Sequence, residues 1–284
     1  MTVSLDTLAA VWRRENLGEL HNVLVDTAYW MNDDEQRQSF QRAVDELNER
    51  GLVNQGSLDA NFLDALRLVG RPSVEYYGWI AAKNGAGKNS AGQNHSAGDG
   101  DSPDEDRDIA VLVAGRGQDE GVLLIRDHHE VHLQSVGAEG LMGALIGQLP
   151  QVQAGRGRGV NLPEQEVRQL AAKFPAAPLG EIKPPPASEF DVFGRATMAE
   201  DARDWFAVMA LPRTGGGQLY VAARNQYGER KRCAHPLTYV DTQQGRWIMQ
   251  TTGDKPGDRW ITSAPANRQM LLARLEEMRS RLPG

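Results

Sequence analysis

Six histidines and one cysteine are the reactive side chains of this chain, and three of the histidines fall in Asp127-His128-His129-Glu130-Val131-His132. Imidazole nitrogens beside carboxylates are ligands for a divalent ion. On a strand, His128 and His132 would share one face while His129 and Val131 share the other. The same run reads as an exposed tight turn at Asp127–His129, where polar residues are expected in any case. No metal site is expected there. Cys233 follows Arg230-Lys231-Arg232 and precedes His235 by two residues. Basic neighbours could lower its thiol pKa, yet no orienting acid or oxyanion motif accompanies it. Asn84-Gly85-Ala86-Gly87-Lys88-Asn89 fails as a phosphate loop, because Ala82 stands where Gly is needed and Asn89 replaces Ser or Thr. Gly115-Arg116-Gly117 leads into a hairpin and so fails the dinucleotide pattern. The acidic run Asp99–Asp108 lacks the Gly and Glu that complete a calcium loop. Catalysis has little to work with, and no cofactor is expected.

The rest of the composition narrows the classes further. The 284 residues carry 31 Lys+Arg against 38 Asp+Glu, a formal charge of −7. A nucleic-acid binder needs a basic stripe, so this balance argues against one. A single cysteine rules out a disulfide within the chain and any cluster of cysteine ligands. Asp6, Arg13, Arg14, Glu15 and Glu19 interrupt the first twenty residues, which leaves no apolar core for a signal peptide. No run approaches the roughly 20 apolar residues of a membrane span. A soluble, cytoplasmic protein is expected.

Spacing shows which elements must position these side chains. Thr2–Leu5 is strand-like and leads into a helix carrying Leu8, Val11 and Trp12. Asn32-Asp33-Asp34-Glu35 resembles a capping box, opening a helix with Phe40, Val44 and Leu47 that stops at Gly51. Ser57 is expected to cap a further helix with Phe62, Leu66 and Val69 on one face. Strands are predicted at 73–82, 108–115, 120–126 and 130–136, then a helix through Leu141, Leu145 and Leu149 to Pro150. Residues 84–106 hold no side chain more hydrophobic than Ala and are read as a flexible loop joining the first two of these strands.

A second pass of the same plan follows the linker-like Gln151–Gly159. Val160–Pro163 echoes the first strand, and Val167, Leu170, Ala171 and Phe174 mark the helix after it. A stiff Pro184–Pro186 break separates this from a helix through Met198, Ala202, Trp205 and Met209. Strands are predicted at 217–224, 229–240, 245–251 and 258–263, and a last helix from Pro265 through Leu271, Leu275 and Met278. This order implies an internal duplication, with halves 1–150 and 151–284 of α+β character sharing one sheet.

Surface recognition is the remaining class of function. Alternation places Glu75, Tyr77, Trp79 and Ala81 on one face of the 73–82 strand, and Val74, Tyr76, Gly78 and Ile80 on the other. Its counterpart sets Tyr220, Ala222 and Arg224 opposite Leu219, Val221 and Ala223. Faces that mix aromatics with Arg have the composition of interface hot spots. Tyr77, Trp79, Tyr220, Arg224 and the basic strand residue Lys231 are therefore the candidate partner-binding residues. Two alternatives stay open: an enzyme or small-molecule binder using a cleft between the halves, and a self-associating scaffold.

Several segments carry a family resemblance. They are Val3–Trp12, His21-Asn22-Val23-Leu24, Asp45-Glu46-Leu47 with Gly51-Leu52, Arg71-Pro72 before Glu75-Tyr76-Tyr77, and Val122–Asp127. Later come Val240-Asp241-Thr242 with Gly245-Arg246, Arg259–Pro265, and the leucine-rich helix ending Leu282-Pro283. Together they resemble the EspG family of type VII (ESX) secretion-associated proteins of actinobacteria. The resemblance implies a central antiparallel sheet with two helical bundles related by a pseudo-two-fold, and a cytosolic chaperone without enzymatic activity. It further implies a partner, the apolar helical tip of the PPE subunit in a PE–PPE heterodimer. Another small helical secretion substrate is equally compatible, and the chain itself is expected as a monomer or weak homodimer.

Overall fold

The protein is described from a computed structural model, in which residues 1–25, 33–82, 107–116, 120–137, 140–173, 200–253, 255 and 257–282 are described. The loop at 84–106, the Asn32 cap, the proline cluster at 184–186 and Met198 lie outside these residues. The first half runs β1 (Thr2–Ser4), α1 (Leu5–Arg14), a 3-10 turn (Asn22–Leu24), α2 (Asp33–Glu49), β2 (Val53–Asn54), β3 (Ser57–Leu58) and α3 (Ala60–Gly70). It continues with β4 (Val74–Ala82), β5 (Arg107–Arg116), β6 (Glu120–Asp127), β7 (Glu130–Val136) and α4 (Leu141–Gly147). The second half runs β8 (Val160–Pro163), α5 (Glu164–Lys173), α6 (Glu200–Met209), β9 (Arg213–Arg224), β10 (Arg230–Arg232), β11 (Leu237–Thr242), β12 (Gly245–Thr252), β13 (Trp260–Pro265) and α7 (Arg268–Ser280).

One antiparallel sheet unites the two halves, in the order β1-β7-β6-β5-β4-β9-β11-β12-β13-β8, with β10 beside β9. The order mirrors itself about the β4–β9 junction. In each half the first strand pairs with the last at the outer edge, β1 with β7 and β8 with β13, and β4 and β9 lie at the centre. Register mirrors as well. Gly78↔Leu219 is the central rung, flanked by Tyr77↔Tyr220 and Trp79↔Gln218. Leu112↔Leu124 in the first half corresponds to Thr238↔Met249 in the second, and Val3↔Val131 to Leu162↔Ile261. The sheet thus has a pseudo-two-fold in both order and register. Among the described residues, α2, the β2–β3 hairpin and β10 have no counterpart in the other half.

Alternating side chains sort the core by face. On one face α1, α2 and α3 bury Leu8, Trp12, Leu47, Phe62 and Leu66 against Leu112, Leu124, Val131 and Tyr77. On the same face α5 and α6 cover the outer strands of the second half through Val167, Phe206 and Val208 against Leu162 and Trp247. The opposite face packs α4 and α7 onto both halves together, joining Tyr76, Val111 and Val113 to Leu219, Tyr239, Ile248, Leu271 and Leu275. The middle of the first face lies between two helical groups. It is the region that β4 and β9 present.

Local chemistry sets the element ends, and three differ from expectation. Ser57 belongs to the small β2–β3 hairpin, and Asp59 is the cap of α3, its Oδ1 accepting from the Phe62 N–H at 2.9 Å. The 229–240 strand is two pieces. Between Arg232↔Ala222 and Leu237↔Leu219 the strand has two residues more than its partner, and Pro236 has no N–H to give a ladder. Pro265 ends β13, while Asn267 caps α7 by accepting from the Met270 N–H at 2.9 Å. At the start of the chain, Ser4 caps α1 and is itself held by Glu46 of α2. The Ser4 N–H donates to Oε1 at 2.8 Å, and the Ser4 and Thr7 hydroxyls donate to Oε2 at 2.6 and 2.5 Å.

Candidate functional site

Strand pairing brings four of the five candidate residues to one face of β4 and β9. Tyr77 and Tyr220 are cross-strand partners, so their rings stack with centroids 5.3 Å apart and planes at 13°. Trp79 meets both edge-on, at 6.0 Å from Tyr77 and 5.9 Å from Tyr220. Offset stacks and T-shaped contacts suit the ring quadrupoles, so the trio is a rigid aromatic platform. Exposure separates the members. Tyr77 is fully buried, Tyr220 is half-buried with its hydroxyl donating to Gln218 Oε1 at 3.0 Å, and Trp79 is 40 % exposed. Burial raises the Tyr220 phenol above its ordinary range.

The two basic residues are placed differently. Arg224 shares the face but is half-buried, and its Nη1 donates to Gly228 O at 3.0 Å across the β9–β10 turn. Lys231 pairs with Ala223, so its side chain lies on the opposite side of the sheet. Sequence reasoning missed Arg230 and Arg232, which pair with Arg224 and Ala222 on the aromatic side. The Arg230 guanidinium lies 5.9 Å from the Tyr77 ring centroid, and Arg232 lies 5.2 Å from that of Tyr220. Alternation within Arg230-Lys231-Arg232 was the available signal.

Beneath this surface sits a carboxylate that alternation placed on the face without assigning it a role. Glu75 is 3 % exposed, and Arg230 binds it through Nε at 2.5 Å and through Nη2. His21 Nε2 stands 3.6 Å from the same oxygen, while its ring meets Tyr77 edge-on at 4.6 Å. His21 Nδ1 accepts from the Val23 N–H at 3.2 Å and so caps the 3-10 turn. Burial raises the Glu75 pKa, but the neighbouring His21 and Arg230 outweigh it and hold the carboxyl below its ordinary value. The HNVL segment thereby gains a physical purpose: it supports the aromatic platform from the side of the first helical group.

The other candidate chemistry resolves into structural roles. His128, at φ +52°, forms the β6–β7 turn and contacts Asp127 at 2.8 Å, and His132 Nδ1 meets Thr2 Oγ1 at 2.9 Å on the edge strand. Among the described residues, no group of three or more His, Cys, Asp or Glu could hold a metal ion. The Cys233 thiol is half-buried and pushed up by burial, contrary to the lowering its basic neighbours suggested. Its Sγ accepts from the Val221 N–H at 3.4 Å. An open concavity of about 440 Å³ lies along β1, β6 and β7, lined by Thr2, Leu123, Ile125 and His132, away from the junction of the halves. Asp241 and Arg246 form a buried bidentate pair at 2.6 and 2.7 Å, with Arg246 also donating to Pro150 O at 2.9 Å. None of the described helices is long and apolar enough to cross a membrane.

With this geometry in place, likeness to known proteins is informative. A sequence model of the EspG family matches residues 4–277. The solved structure of the Mycobacterium tuberculosis type VII secretion system chaperone EspG5, in complex with a PE25-PPE41 dimer, is similar at a TM-score of 0.67. That likeness covers 100 % of this chain and 96 % of the other at 16 % identity, and shows a common fold. No curated protein matches the chain.

Proposed function

The chain belongs to the EspG family, and from that premise we propose that it is a cytosolic type VII secretion chaperone that binds a PE–PPE heterodimer. Chaperones of this kind act by covering a surface, so a binding role without catalysis is the matching chemistry. An apolar helical tip exposed to water is an aggregation hazard, and a complementary face that buries it keeps the substrate soluble until delivery. The observation that carries the reading is the family match across nearly the whole chain, and the aromatic platform of Tyr77, Trp79 and Tyr220 supplies a docking place. Flanked by helices on both sides and rimmed by Arg224, Arg230 and Arg232, it suits a protruding tip better than a flat partner. A standard interface of roughly 1,200–2,000 Å² is compatible with a complex that must later release.

We also propose that residues 1–150 and 151–284 descend from one duplicated unit, the mirrored register being the supporting observation. Co-expression with the PE–PPE pairs encoded in the same genome tests the function. The matching pair should become more soluble and co-purify at equal stoichiometry. If no pair co-purifies and solubility stays unchanged, the reading fails.

A further inference from the structure

We infer that the two arginines facing the aromatic side of β10 do different work: Arg230 is a positioning residue held by Glu75, and Arg232 is the cation that selects a carboxylate on the partner. The inference rests on the aromatic face being the docking surface. Glu75 is buried, its Oε1 is bound by Arg230 and lies 3.6 Å from His21 Nε2, and both of these side chains contact the Tyr77 ring. Arg230 is thus already neutralised, and a partner carboxylate would have to displace a buried one to reach it. What Arg230 offers is geometry. Its guanidinium closes over Tyr77 and fixes the ring on which Tyr220 stacks.

Arg232 stands two residues on, on the same side of the sheet, exposed and lying over Tyr220. Among the described residues no carboxylate lies within ion-pair distance of it. Lys231 points to the other side, and Arg224 is held by the turn. An apolar tip settling on Trp79 and Tyr220 would strip water from Arg232. That is costly for an unpaired cation and favourable for one that meets a carboxylate in bidentate fashion. The partner therefore carries an Asp or Glu beside its apolar tip.

Titration calorimetry with the co-purifying PE–PPE heterodimer separates the two roles. E75Q and R230L should each weaken binding about tenfold, and the double variant should be no weaker than either single one, because both remove one clamp. R232E should weaken binding by about a hundredfold and multiply with E75Q. Replacing the partner carboxylate by Arg should restore affinity to R232E and not to R230E. Independently of any partner, NMR should find the Arg230 Nε–H protected from solvent exchange in the wild type and unprotected in E75Q, with the Arg232 Nε–H exchanging fast in both. Multiplicative losses for E75Q and R230L, or full affinity in R232E, overturn the division of labour. A wild-type chain that binds no PE–PPE dimer overturns the docking reading instead, and the Nε–H exchange then decides the clamp alone.

Discussion

Two aromatic residues two positions apart have opposite expected phenotypes. Trp79 is 40 % exposed on the platform, whereas Tyr77 is fully buried beneath it. Trp79→Ala should weaken PE–PPE binding by about 1–4 kcal/mol with little change in melting temperature. Tyr77→Ala should cost about 3–5 kcal/mol of stability, read by urea unfolding, since it opens a core site. Alternation gave both residues the same face, and it could not give their depth. Depth depends on α1–α3 and the His21 turn packing over Tyr77 and stopping short of Trp79, a long-range fact that no local pattern carries. Glu75 yields a pH prediction. Its folded-state pKa is depressed, so its stabilisation is present above the ordinary carboxylate range and lost as pH falls through the folded value. Glu75→Gln should cost roughly 2–3 kcal/mol at neutral pH, below a fully buried pair because Arg230 is a third exposed. Thermal melts from pH 7 to pH 3 check this, with a shallower acid fall expected for the variant than for the wild type.

Among the elements, β4, β5, β6 and β7 lie within about a residue of their sequence-predicted bounds, because continuous apolar runs in β5 and β6, alternation in β7, and Gly or Asp-His turns mark them. The β10–β11 break was not legible, since Cys233, Ala234 and His235 carry no turn signal and only Pro236 hints at a stop. The β11–β12 hairpin holds what the resemblance segment Val240–Arg246 is for. Asp241 and Arg246 face each other on paired rungs, nearly without solvent, and Arg246 also lies 4.8 Å from the Tyr239 ring centroid. Asp241→Asn leaves a buried guanidinium without its counter-ion and should destabilise the chain by about 3–5 kcal/mol in urea unfolding. Substituting both residues by apolar ones of similar volume should recover much of that loss, because the desolvation cost disappears together with the pair. The central rung obeys a different rule. A Cβ at Gly78 would clash with the Gln218 carbonyl oxygen and the Leu219 side chain, which explains a glycine in the middle of a core strand.

At the scale of the whole molecule, the order of elements suggested two similar units, and the structure joins them more tightly than two domains. The β4–β9 pairing links residues about 140 positions apart, a contact invisible to any local window. Nine rungs run from Val74↔Ala223 to Ala82↔Gly215. On the α4–α7 face a single core takes Tyr76, Val111 and Leu145 from one half and Leu219, Tyr239 and Leu275 from the other. Cutting the chain at 150 would expose β4 and β9 as long unpaired edges and strip that shared core on both sides. Such edges template aggregation, and neither half would keep enough buried apolar area to offset its ordering entropy. The intact chain should therefore melt in one cooperative transition, with calorimetric and van't Hoff enthalpies in agreement. Fragments 1–150 and 151–284, refolded separately, should aggregate or remain molten, and refolded together they should reassemble into an equimolar complex with the circular dichroism of the intact chain. A 1–150 fragment that melts cooperatively near the temperature of the full chain would refute this coupling, because its stability would then owe nothing to β9 or α7.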